Sequence, residues 1–190
     1  MRKVAIIVSF VLLLSGLTVA QIPTSGNVFF GYSYLNTSVS PLSRTGTNGW
    51  EATVEGKVLP FIGIAADFSS YYGSQNFPGS VSVPVCLPPA VCSPTFINVG
   101  VNEQNYLFGP RASISISKFR PFAEVLVGAG HINAHAAGSD TSFATAIGGG
   151  LDYKLLRILA WRFQGDYLQT RFFSNTQNNV RLSTGIVVRF

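Results

Sequence analysis

Apolar and polar residues alternate along most of this chain. In "NNVRLSTGIVVRF" (Asn178–Phe190), one set of alternate positions carries Val180, Leu182, Thr184, Ile186, Val188 and Phe190. The other set carries Arg181, Ser183, Gly185, Val187 and Arg189. Strand side chains point to opposite faces with period 2, so this segment predicts a strand with one greasy face and one small or charged face. The same reading predicts eight strands, at about Asn27–Leu35, Asn48–Lys57, Phe61–Tyr71, Gln104–Ser115, Arg120–Gly130, Thr141–Asp152, Ile158–Thr170 and Asn179–Phe190. In the second, Trp50, Ala52 and Val54 alternate with Glu51, Thr53, Glu55 and Lys57. In the third, Ile62, Ile64 and Phe68 alternate with Gly63, Ala65 and Asp67; in the fifth, Ala123 and Val125 oppose Phe122, Glu124 and Leu126. In the seventh, Trp161, Phe163 and Tyr167 oppose Arg162, Gln164 and Asp166.

The connections between these segments run about 12, 3, 32, 4, 10, 5 and 8 residues, against an ordinary length of about 4–6. Long and short thus alternate. With an even strand number, that sorting predicts an all-β, antiparallel, up-and-down transmembrane barrel with short turns on one side and long loops on the other. Most of the segments match the length of tilted strands that cross a bilayer. Arg162 fixes the inward face, because an arginine facing lipid at mid-depth costs about 2–4 kcal/mol. Aromatics on the greasy face are predicted to form two interfacial girdles. Tyr34, Trp50, Tyr72, Tyr106, Phe143 and Tyr167 would lie near the long loops, and Phe30, Tyr153, Trp161 and Phe190 near the short turns.

Composition agrees with that solvent. The chain is 47% hydrophobic and only 11% charged, and no apolar run after the first residues is long enough for a membrane-crossing helix. Residues 1–20 read as a cleaved signal peptide: Arg2 and Lys3, then the apolar run Val4–Leu14, then Thr18-Val19-Ala20. The barrel domain is accordingly placed at 21–190. Arg2 and Lys3 account for two charges of the formal net charge of +5. No basic run remains, which excludes a nucleic-acid surface. A secreted lipocalin-like carrier would need a greasy inside and a polar outside, the reverse of this pattern.

The inward face gathers Glu51, Glu55, Asp67, Glu124, Asp152 and Asp166 against Lys57, Arg111, Arg162, Arg181 and Arg189. Near-balance of sign predicts a lumen plugged by cross-barrel ion pairs, with Arg162 as their central partner. An eight-stranded barrel has an interior about filled by side chains. The small neighbours Gly63, Gly109, Gly148, Gly150 and Gly185 would let long side chains cross it, or would leave a wet gap. The alternative function is therefore a narrow porin-like channel for ions or small solutes.

The order of "GYSYL" (Gly31–Leu35), "GIAADF" (Gly63–Phe68), "FGPR" (Phe108–Arg111), "RPFAEVLVGAG" (Arg120–Gly130), "FQGDYLQTRF" (Phe163–Phe172) and the final Phe190 resembles the outer-membrane protein β-barrel domain family. That family includes the eight-stranded transmembrane domain of outer membrane protein A. The resemblance covers the segment after the signal. It implies residence in the outer membrane of a Gram-negative bacterium, contact with outer-membrane lipids, and a last strand whose terminal aromatic, Phe190, is read by the barrel-assembly machinery.

Other chemistry is sparse. His131 and His135 lie in "GHINAHAAGSD" with Ser139 and Asp140, but no serine follows His131 two residues on, as in lipid-A-modifying barrel enzymes. Two histidines alone make a weak metal site. They read as solvated loop residues, and no enzyme activity, metal or cofactor is expected. Cys86 and Cys92 in "PVCLPPAVC" are expected to form a disulfide that stiffens the longest loop. Gly73–Asn102 contains no charged residue, and if an extracellular ligand binds the loops, this is the stretch that takes it. "IGGGLD" (Ile147–Asp152) lies inside a strand and reads as relief of crowding rather than a phosphate cradle. The function expected from the sequence is an integral barrel with a structural or adhesin-like surface role.

Overall fold

The computed structural model describes residues 25–40, 43–78, 96–134, 138–172 and 176–190. They form β1 (Gly26–Ser40), β2 (Ser43–Lys57), β3 (Ile62–Pro78), β4 (Phe96–Ser113), β5 (Phe119–Ala134), β6 (Gly138–Lys154), β7 (Leu159–Thr170) and β8 (Gln177–Arg189). Each strand pairs antiparallel with the next, and β8 pairs with β1, closing an up-and-down barrel. The signal segment 1–20, the cysteines and His135 lie outside the described residues.

The alternation dictates the sidedness. Phe30, Phe108, Phe143 and Phe163 are each at least 60% exposed on the outer wall, while Glu51, Asp67, Arg111, Arg162 and Arg181 are almost wholly enclosed. Of the eight acidic residues in the chain, all but Asp140 are buried inside. Registers add up around the wall: Val28 faces Val54, then Ala66, Phe108, Val127, Thr145, Gln169 and Asn178 in turn. Since Val180 already faces Asn36, the circuit re-enters β1 about ten residues beyond its start, and closure requires tilted strands.

The seam between β1 and β8 is tight. Gly31 and Gly185 are direct partners, and a Cβ on Gly185 would run into the Gly31 Cα and the Phe30 carbonyl oxygen. At the short-turn end, Gly26 N donates to Phe190 O at 2.9 Å and Phe190 N donates to Gly26 O at 3.1 Å. Gly185→Val is therefore expected to stop closure, seen as loss of the compact, fast-migrating form in unheated SDS electrophoresis. Gly165→Ala should leave that form intact, because the nearest atom to a new Cβ there is Leu182 Cδ2 at 3.5 Å. In "IGGGLD", side chains on Gly148, Gly149 and Gly150 would strike carbonyl oxygens of β7 and β5. The glycines are needed for close approach of the strands.

The strands depart from the sequence pattern in four respects. The strict alternation of long and short connections does not hold, since the intervals are 41–42, 58–61, 79–95, 114–118, 135–137, 155–158 and 171–176. Most of the residues assigned to long loops extend the strands instead. Backbone pairing does not depend on the polarity of the outer face, so the ladder continues where the alternation has faded. For the same reason His131 is no loop residue: it sits in β5 opposite Gln104 and Thr141. The charge-free Gly73–Asn102 stretch is likewise partly strand, with β3 running to Pro78 and β4 starting at Phe96. Finally, Phe30 does not belong to the short-turn girdle, because it stacks on Trp50 with ring centroids 6.2 Å apart. Phe119 takes its place near that rim, tilted against Tyr153 at 5.3 Å.

Candidate functional site in the barrel lumen

Inward positions of all eight strands converge on one enclosed space, so an ionic side chain there has no water to solvate it and must find its partners across the barrel. Arg181 of β8 is the hub. Its Nη1 donates to Asp67 Oδ1 on β3 at 2.8 Å. Its Nε donates to Asp166 Oδ2 on β7 at 2.8 Å, with Nη2 at 2.7 Å from the same oxygen and Nε 3.5 Å from Glu51 Oε2 on β2. Three carboxylates thus share one guanidinium. Glu51 also accepts from Ser183 Oγ at 2.5 Å, and Asp67 accepts from Thr53 Oγ1 at 3.2 Å.

A second centre lies nearer the short turns. Arg111 of β4 donates from Nε to Glu124 Oε2 at 2.7 Å and approaches Glu55 Oε2 at 3.5 Å. Glu55 accepts from Arg120 Nη2 at 2.9 Å and from Asn27 Nδ2 at 2.7 Å. Gln164 of β7 ties the two centres together. Its Nε2 lies 3.0 Å from Glu51 Oε1, 3.0 Å from Glu124 Oε1 and 2.8 Å from Asp166 Oδ2.

Arg162 is not the central partner that its position suggested. It donates to Asp152 Oδ1 from Nε at 2.7 Å and to Oδ2 from Nη2 at 3.2 Å, and Asp152 also takes Arg189 at 3.2 Å. Its Nη2 also donates to Asn27 Oδ1 at 3.4 Å, and the guanidinium lies over Phe122 at 4.5 Å and Phe29 at 5.1 Å, while Arg111 covers Phe122 at 4.6 Å. The reason is level. Arg162 is three residues from the short-turn end of β7, below the acids gathered around Arg181. Lys57 is pulled to the rim, where Nζ donates to the Pro60 carbonyl at 3.0 Å.

Two inward charges escaped the sequence reading. Arg120 is buried against Glu55 and Ser113; it shares parity with Phe122 and Glu124, and that signal was available. Glu103 is buried with Asn105 Nδ2 donating to it at 3.1 Å. It lies where the alternation of β4 had faded.

The glycines do not leave a gap. A Cβ on Gly63 would meet Glu55 Oε1 at 2.9 Å, one on Gly148 would strike the Asp166 carboxylate, and one on Gly150 would meet Phe122 Cζ at 2.8 Å. Their space is taken by the network itself. Apolar layers bound it: Phe29, Ala160 and Val187 toward the short turns, and Leu35, Tyr71 and Leu168 on the other side. His131 is remote from all of this; its Nδ1 is hydrogen-bonded to Thr141 Oγ1 at 2.7 Å. Among the described residues, no group of three or more histidine, cysteine or acidic side chains could hold a metal ion.

No protein-family model matches the sequence, and no curated protein does. Solved structures match its shape. Neisserial surface protein A superposes with a TM-score of 0.62 at 14% identity, over 87% of this chain and 97% of that one. The outer membrane protein OprG from Pseudomonas aeruginosa gives 0.60 at 9% identity, over 87% and 95%. Ail, the attachment invasion locus protein of Yersinia pestis, solved with the heparin analogue sucrose octasulfate, gives 0.57 at 16%, over 87% and 98%. These neighbours share the fold of this chain, a closed antiparallel β-barrel.

Proposed function

We propose that this chain is an integral outer-membrane barrel that conducts little and works through its wall and its outward end, in a structural or adhesin-like role. The observation that carries the reading is the Gln164 bridge between Glu51, Glu124 and Asp166, which joins the Arg181 and Arg111 centres across the lumen. A path for solutes would have to break several charge-assisted bonds inside an enclosed space. Near-balance of sign supports a plug as well, since a selective conduit is usually lined by an excess of one charge. Ail, whose name records attachment and invasion, is an instance of the same architecture. The motif resemblance to the outer membrane protein A domain belongs to this reading, as do recognition of Phe190 by the barrel-assembly machinery and removal of residues 1–20. A Cys86–Cys92 disulfide would stiffen the 79–95 connection as the contact surface for an extracellular ligand. A non-enzymatic role fits the surroundings of His131, whose ring bonds a threonine hydroxyl.

Planar-bilayer recording tests it. The wild-type chain is expected to show no steady open level, and Arg181→Ala to introduce openings. A large, stable conductance in the wild type, unchanged by Arg181→Ala, would decide for the narrow channel.

A further inference from the structure

At the short-turn end, the turns at 114–118 and 155–158 lie side by side. Lys154 N donates to Lys118 O at 2.8 Å, next to the Phe119–Tyr153 pair. The two lysines are therefore cross-strand neighbours, and Arg157 belongs to the adjoining turn. Like charges placed opposite one another on adjacent strands are unfavourable without a counter-ion. Among the described residues, no acidic side chain pairs with either lysine or with Arg157. The acids of the chain are buried in the lumen, apart from Asp140 in the β5–β6 hairpin at the opposite end.

The three cations and Ser117 line a cavity of about 630 Å³ that also touches Tyr153 and Leu155. Tyr153 and Leu155 in turn border an apolar groove with Phe119, Leu151, Trp161 and Phe163. A cationic pocket at the rim thus continues into an apolar groove on the outer wall. We propose that this is a binding site for an anionic phospholipid, with the phosphate among Lys118, Lys154 and Arg157 and an acyl chain along Leu151, Trp161 and Phe163. A free phosphate would use the pocket alone; the shared Tyr153 and Leu155 border favours a ligand carrying both parts. A zwitterionic lipid would bring its own ammonium into a pocket that already holds three cations. The proposal rests on the membrane-embedded reading of the wall.

The test uses the full chain with Trp50→Phe, which leaves Trp161 as the sole reporter of the two tryptophans. It is reconstituted in phosphatidylcholine vesicles containing a small fraction of phosphatidylglycerol or phosphatidylcholine with brominated chains. Brominated phosphatidylglycerol is expected to quench Trp161 with about a hundredfold higher apparent affinity, since each of the three cations at a headgroup contributes about fivefold. Lys118→Gln/Lys154→Gln/Arg157→Gln should bring the ratio to about one. Equal quenching by both lipids in the parent chain overturns the headgroup site while leaving the embedded wall. Quenching by neither overturns the embedding as well. A preference that survives in the triple variant, or that inorganic phosphate abolishes where chloride of equal ionic strength does not, also overturns the lipid site. The two-lipid comparison needs only the parent chain, so it decides even where the triple variant does not refold.

Discussion

Arg181→Met is expected to destabilise the barrel by about 3–5 kcal/mol, the scale for removing one partner of a buried ionic cluster. Methionine roughly keeps the volume, so the loss reports charge more than a cavity. Without the guanidinium, Asp67, Asp166 and Glu51 would face one another in an enclosed space with Thr53, Gln164, Ser183 and Ser33 as neutral donors. Adding Asp166→Asn and Asp67→Asn to the variant should restore much of the stability, because the cost lies in the unpaired carboxylates. Arg162→Met should cost less, about 1–3 kcal/mol, since Asp152 keeps Arg189 at 3.2 Å. Urea titration in lipid vesicles, read by tryptophan emission, measures all of these. Equal losses for the two arginines, or no rescue by the asparagines, would remove Arg181 from the centre of the network.

That ranking shows what alternation reveals and what it does not. Parity told which side each residue faces, and the inward set from Glu51 to Arg189 followed from it. Parity carries no height. Arg162 and Arg181 look equivalent in the sequence, each an arginine on the inward face of a late strand. Only the accumulated register, which climbs about ten residues in one circuit of a tilted wall, puts Arg181 level with Asp67, Asp166 and Glu51. It leaves Arg162 beside Phe122 and Asp152. The cross-lumen role of Gln164 was hidden for the same reason, since its three acceptors come from three different strands. Strand ends were hidden differently. Alternation reports on one greasy face, and toward the β1–β2 and β3–β4 connections the four strands continue as paired ladders without it. Glu103 lies in that zone, which is why a buried acid resembled the edge of a loop.

If the outer wall meets lipid, as proposed, it makes a depth-dependent demand. Val125 is 48% exposed on the outer face of β5, near the middle of the band that runs from Phe119 and Tyr153 at one rim to Tyr72 and Phe143 at the other. Val125→Arg there places a guanidinium in hydrocarbon and is expected to cost about 2–4 kcal/mol in vesicles, beyond whatever Val125→Ala loses. Val58 is 68% exposed in the 58–61 turn, where a long side chain reaches headgroups and water. Val58→Arg should then cost about 0–1 kcal/mol. The comparison separates the two solvents directly, because both valines are exposed and neither faces the lumen. If both substitutions were equally mild in vesicles, the outer wall would be facing water, and the charged interior would have to be explained as the core of a soluble barrel. If Val125→Arg alone is costly, the greasy positions from Phe30 to Phe190 meet lipid, and the inward placement of nearly every carboxylate follows from the same constraint.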